Sequence, residues 1–158
     1  MITIEDAEPF DAVRRELMPG EVAAGIPFHV TLLYPFGELE DEARAFFAGR
    51  APFAFALTRV AAWPDVVYLV PEPDDDLRTV MAGLFARFPE WPPYGGIHDE
   101  VIPHATLGEQ VDGPSLRGEL ERRLAPHLPR RCQTRDVSLL EEVAPGRWRE
   151  RDRFALGG

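Results

Sequence analysis

The sequence has no lysine: all 17 of its basic residues are arginine. That excludes a ligase working through a lysyl-nucleotide intermediate, and it excludes a P-loop, which needs its lysine. There is one cysteine, Cys132. No internal disulfide is possible, a reducing cytoplasm is the expected setting, and a lone cysteine most often packs as a small core residue. No apolar run approaches the roughly 18 residues of a membrane span, and the N-terminus lacks the basic-then-apolar layout of a secretion signal. No membrane partner is expected. Positive charge is also short, with 17 basic against 27 acidic residues and a net charge of −10. A long nucleic-acid surface needs a broad basic face, so that partner is excluded, whereas a short or terminal phosphate in a locally basic cleft is not. Side-chain hydroxyls of the aliphatic kind are scarce too, at six threonines and two serines.

What is present suits one globular domain. A chain of 158 residues can bury roughly 68–70% of its unfolded surface. Ile2-Thr3-Ile4 predicts a short strand, and Pro9 opens a helix that Pro19-Gly20 ends, with Phe10, Val13 and Leu17 as its apolar stripe. Phe28 to Phe36 reads as one strand rich in β-branched and aromatic residues. A helix from about Glu38 to Phe47 follows, capped by Gly49. Strands are predicted from Phe53 to Ala62 and from Val66 to Val70, around a turn at Trp63-Pro64-Asp65. Asp74-Asp75-Asp76 caps an amphipathic helix carrying Leu77, Val80, Met81, Leu84, Phe85 and Phe88. Pro89 to Glu100 is the longest irregular connection. A second strand spans Val101 to Glu109. Pro114 starts a helix with Leu116, Leu120, Leu124 and Leu128 on one face, which Pro126 ends or kinks. Cys132 to Val143 and Arg147 to Leu156 read as the last two strands.

Two of these strands share a pattern. On a strand, side chains alternate faces, so His29 and Thr31 point one way while Val30 and Leu32 point the other. His104 and Thr106 stand over Ala105 and Leu107 in the same manner. Chance would place a hydroxyl two residues after one of four histidines about 0.2 times in such a chain, and two cases occur. The other two histidines serve as controls, because His98 is followed at that spacing by Glu100 and His127 by Pro129. Each motif also lies ten residues before a helix start (39 − 29 and 114 − 104) and is followed by helix, strand, turn and strand. The chain therefore reads as one bilobal domain of two repeats, roughly 1–72 and 73–158, which would bring the motif strands together across a cleft.

With these residues in view, His29-Val30-Thr31-Leu32 and His104-Ala105-Thr106-Leu107 resemble the paired H-x-[ST]-hydrophobic motifs of the 2H phosphoesterase superfamily. Their contexts, Pro27 to Phe36 and Pro103 to Gly108, resemble its bacterial 2′-5′ RNA ligase branch, as do Val67-Tyr68-Leu69 and Pro92 to Gly96. Members of that branch usually have a longer first strand than Ile2-Thr3-Ile4, so one sheet is expected to be short. The resemblance implies an α+β, bilobal fold of two pseudo-twofold-related antiparallel sheets with outer helices. It also implies metal-free chemistry on RNA-type phosphodiesters, 2′,3′-cyclic or 2′-5′ linked, with no cofactor. The expected partner is a small cyclic nucleotide or a short RNA end.

The residues fit that chemistry on their own terms. Opening a cyclic phosphodiester needs a base for water and an acid for the departing ribose oxygen, and two histidines can supply both near neutral pH. The Thr31 and Thr106 hydroxyls can donate to the non-bridging oxygens. Run in reverse, such a site would join a 2′,3′-cyclic end to a 5′-hydroxyl without ATP. Sequence alone does not say which histidine is the acid. A catalytically idle cleft that binds nucleotides or RNA ends is the alternative reading. Tyr34 and Tyr94 are candidates to stack on a base, although such residues are often core or rim. Arg149 and Arg151, in the alternating series Arg147 to Arg153, are candidates to attract phosphate, against the plainer reading of a solvated edge strand. Asp99 and Glu100 could orient His104 or be ordinary loop charges. No metal site is expected, since the histidines and the one cysteine lack ligand spacing.

Overall fold

The computed structural model describes residues 1–37, 40–96 and 100–157. The first elements are strand β1 (Ile2–Thr3), helix α1 (Glu8–Leu17), a short helix α2 (Pro19–Ala23) and strand β2 (His29–Val30). Pro9 lies in the first turn of α1, where a missing N–H costs nothing. Pro19 does the same for α2, so Pro19-Gly20 starts a second helix as well as ending the first. Next come α3 (Glu40–Ala48), β3 (Phe53–Trp63), β4 (Val66–Glu72) and α4 (Asp75–Arg87). The second half supplies β5 (Ala105–Glu109), α5 (Gly113–Leu124), β6 (Arg130–Thr134), β7 (Asp136–Ala144) and β8 (Arg147–Ala155). The expected start of α3 at Glu38 and Leu39 lies outside the described residues.

Every strand pairing is antiparallel: a four-stranded sheet ordered β5-β4-β3-β6 and two-stranded sheets β1-β2 and β7-β8. Met1 and Ser138 exchange backbone hydrogen bonds of 2.8 and 2.9 Å, which ties β1 to β7. The two halves of the chain are thus interleaved. The β3-β4 hairpin of the first half carries the second motif strand, and the β7-β8 hairpin of the second half reaches the first motif strand through β1. Helices α1 and α5 cover the four-stranded sheet, while α3 packs on β8. Helix α4 lies against α3 through Gly83, where an added Cβ would stand 3.0 Å from the Phe46 ring. This is an α+β fold of antiparallel sheets under outer helices. Phe28, Val30, Leu32, Leu57, Leu69, Ala105 and Leu107 lie in its apolar core.

Three strand expectations need correction. The stretch 28–36 is strand only at His29–Val30, because β1 offers just two residues to pair with. The second motif strand begins at Ala105, not Val101. Pro103 has no N–H to donate to a ladder, so His104 stands at the mouth of the strand. The single strand predicted from Cys132 is two: β6 pairs with β3 as far as Thr134, and the chain then crosses at Arg135 to the other sheet. Finally, Asp74 occupies the cap position of α4, but its carboxylate accepts from Arg78 Nε at 2.7 Å and from no backbone N–H.

Candidate active site

The two motif histidines are held in the same way. His29 Nδ1 donates to the Pro27 carbonyl at 2.7 Å, and His104 Nδ1 donates to the Ile102 carbonyl at 2.7 Å. In each case the acceptor lies two residues upstream. This bond places the proton on Nδ1 and leaves Nε2 as the accepting nitrogen of the neutral ring. Alternation holds on both motifs. Val30, Leu32, Ala105 and Leu107 are buried, and the His and Thr side chains stand on the opposite face, half-buried. For the first motif the bond is direct, with the Thr31 hydroxyl 3.0 Å from His29 Nε2. Thr106 is set by β5, whose ladder pairs it with Tyr68 of β4.

Strands β2 and β5 are neighbours without hydrogen-bonding to each other, and charge on His104 is felt at His29. Burial holds the His29 pKa down at about 4, assisted by the positive charges of the N-terminus, Arg14 and His104, while the Pro27 carbonyl pulls it the other way. His29 is therefore neutral at neutral pH, with the Thr31 O–H directed at its Nε2.

The surroundings differ. The Tyr94 hydroxyl is hydrogen-bonded to Thr31, and burial raises its pKa. Its backbone N–H donates to the Tyr34 carbonyl at 2.7 Å. Tyr94 sits in the left-handed region (φ 51°), followed by Gly95 and Gly96 at positive φ, so the two glycines carry a turn that presses a tyrosine toward Thr31. Tyr34 is 53% exposed. His104 instead stands nearly perpendicular to two aromatic rings, Trp63 at 4.9 Å and Tyr68 at 5.6 Å between centroids. Sequence reasoning passed over Trp63 and Tyr68 as site residues. Their signal was the β3-β4 turn itself, which carries one on each arm.

The structure thus gathers His29, Thr31, Tyr34 and Tyr94 on one side, with His104 and Thr106 on the neighbouring strand. The arginines lie elsewhere on exposed β8: Arg149 pairs with Glu141 at 3.5 Å, and Arg151 with Glu40 at 2.6 Å and Glu141 at 3.5 Å. Glu100 pairs with Arg78 at 3.0 Å, while His98 and Asp99 lie outside the described residues. Among the described residues, no group of three or more His, Cys, Asp or Glu side chains is arranged to hold a metal ion.

Beneath the loop entering β2 lies Arg14, only 2% exposed. It donates to Asp11 at 2.8 Å and to the Ile26 carbonyl at 3.1 Å. A buried guanidinium so paired fixes the path of residues 26–28 and hence the carbonyl that clamps His29.

The fold and sequence together place the chain in a class. It belongs to the 2′-5′ RNA ligase superfamily of 2H phosphoesterases, matching that family over residues 3–145. A protein of Geobacillus thermodenitrificans named "Putative phosphoesterase" is 26% identical over 147 residues, covering 84% of this chain and 80% of the relative. A second from Geobacillus kaustophilus matches to the same extent. Among solved structures, E. coli LigT complexed with ATP superposes with a TM-score of 0.59 at 19% identity, over 100% of this chain and 95% of that one. A crystal structure titled as a phosphoesterase gives 0.60 at 21% identity over the same shares. E. coli LigT complexed with 3′-AMP gives 0.58 at 20% identity, again over 100% and 95%. At these identities the structural likeness speaks for the fold.

Proposed function

We propose that this protein is a metal-independent phosphodiesterase acting on 2′,3′-cyclic or 2′-5′-linked RNA-type phosphodiesters, with His29 and His104 as its acid–base pair. The observation that carries the reading is the matched pair of carbonyl-clamped histidines, each with a threonine two residues on, on neighbouring strands. Neutral His29 takes a proton from water as its oxygen bonds to phosphorus. Protonated His104 gives its proton to the ribose oxygen as the bond from that oxygen to phosphorus breaks. The product is a ring-opened phosphomonoester with one free ribose hydroxyl. Thr31 and Thr106 turn their hydroxyls toward the non-bridging oxygens, where negative charge gathers.

With a 5′-hydroxyl in the place of water, the same acid–base pair would open the cyclic phosphate to a 2′-5′ or related linkage without ATP. Tyr34 and Tyr94 border the side where that water or 5′-hydroxyl enters, and they suit the base of the entering nucleoside. Arg149 and Arg151 attract phosphate from further out, weakened by their carboxylate partners. The superfamily assignment and the relatives named as phosphoesterases support this reading.

The test is turnover of 2′,3′-cyclic AMP in excess EDTA, beside equilibrium binding of the same compound. Turnover that survives chelation is the expected result. Binding without turnover would instead identify a nucleotide-binding module, and loss of rate restored by one divalent ion would overturn the proposed mechanism.

A further inference from the structure

A cavity of about 550 Å³ opens beside His104, lined among others by Arg59, Tyr68, Val70, Ile102 and Pro103. It adjoins the candidate site through its lining residues: the Tyr68 ring lies 5.6 Å from the His104 ring between centroids, and Ile102 and Pro103 immediately precede His104. Ile102 is one of three large apolar side chains exposed among the described residues, with Tyr34 and Val143. Of those three, Ile102 is the one that lines this cavity. The lining is mixed: Tyr68, Val70 and Ile102 with three prolines supply apolar surface, and Arg59, Arg78, Glu72, Asp74 and Asp75 supply charge, with Arg59 3.8 Å from Glu72. Three carboxylates against two guanidiniums (Arg59 and Arg78) disfavour a phosphate here and suit a flat, uncharged ring bearing amino donors.

We propose that this cavity seats the base of the nucleoside that carries the cyclic phosphate. The inference rests on the phosphodiesterase reading above. There His104 serves the ribose oxygen of that nucleoside, so its base must lie on the His104 side. Tyr34 and Tyr94, beside His29, are left for the entering partner. The planar guanidinium of Arg59 closes over one face of the ring, and the Ile102-Pro103 surface supports the other.

The experiment compares 2′,3′-cyclic AMP with a base-free analogue, 1-O-methylribose 2,3-cyclic phosphate. Val70→Trp fills the cavity from β4. It is expected to raise KM for cyclic AMP about 5- to 150-fold, the worth of one stacked base, and to leave the base-free analogue within about twofold by the same reasoning. Arg59→Ala, an exposed position, should move the same ratio in the same direction and stands in if Val70→Trp does not fold. Equal effects on both compounds, or none on either, would overturn the inference. If the wild-type protein turns over neither compound, the phosphodiesterase reading fails. The Kd of 3′-AMP against that of ribose 3-phosphate, in wild-type and variants, then decides the cavity on its own.

Discussion

The depressed pKa of His29 gives a prediction with a worked magnitude. Burial keeps the ring neutral down to about pH 4 in the folded protein, whereas an unfolded chain protonates it near 6.5. Above pH 6.5 both states hold a neutral ring and folding gains its full benefit. As pH falls from 6.5 toward 4 the unfolded chain takes up the proton, the folded one does not, and stability is lost. Between pH 7.5 and 4.5 the loss from this group is about 2.5 kcal/mol, or about 5–10 °C in Tm for a chain of this size. His29→Gln removes the titration while keeping a neutral amide. Thermal unfolding of wild-type and variant at the two pH values should therefore show wild type losing that much more than the variant. The same neutral ring sets the rate: the acid limb of kcat/KM, which reports the free enzyme, should fall near pH 4 and not near 6.5. Imidazole Cε1–Hε1 resonances followed by NMR identify the group directly. A His29 midpoint near 6.5, with parallel Tm curves for wild type and His29→Gln, would refute the argument.

Three further outcomes follow from the geometry. His29→Ala and His104→Ala should each lower kcat/KM by roughly 10²- to 10⁴-fold, and the double variant should lose far less than the product because the pair acts as a unit; His127→Ala, exposed in the turn after α5, should leave the rate unchanged. Thr31→Val and Thr106→Val should cost at most about 10²- to 10³-fold, as single donors to a developing charge, with Thr31→Val also raising the His29 midpoint slightly or not at all by NMR, since burial dominates it. Gly113→Ala should destabilise by roughly 1–3 kcal/mol in denaturant unfolding, because its Cβ would stand 2.4 Å from the Val66 carbonyl and 2.5 Å from that of Trp63, both backbone and unable to swing away.

Local pattern carried much of this into the sequence. The spacing of His29 with Thr31 and His104 with Thr106, over buried Val30, Leu32, Ala105 and Leu107, depends only on strand alternation, so it could be read without partners. The helices were equally local: Phe10 and Val13 of α1, and Leu77, Val80, Met81 and Leu84 of α4, are the buried faces their periodicity predicts. Strand length was not local. How far β2 runs is set by a partner of two residues, and where β6 ends is set by the chain leaving one sheet for another at Arg135. Neither is written near the residues concerned. The β3-β4 turn puts Trp63 and Tyr68 on its two arms, but their place beside His104 depends on the β4-β5 pairing. The Pro27 and Ile102 carbonyls left no signal, because any residue supplies one.

A symmetric pattern has to yield two unlike roles, and the structure shows where the asymmetry enters. The backbone treats the two histidines alike, with the same acceptor position and the same 2.7 Å bond. The fold does not. His29 sits on β2 between β1 and a loop braced by buried Arg14, under Thr31 and the hydroxyl of Tyr94, and burial there removes its proton. His104 stands at the mouth of β5, where Pro103 precludes an earlier start, nearly perpendicular to the rings of Trp63 and Tyr68. What separates the pair is the setting of His29, whose burial and positive neighbours hold its pKa down at about 4. A substitution that opens the Arg14 brace, such as Arg14→Met, should raise the His29 pKa by hydrating the ring. NMR titration of the pair checks this: the His29 midpoint should climb toward 6.5 in Arg14→Met, and a midpoint that stays near 4 would show that the brace does not set the burial.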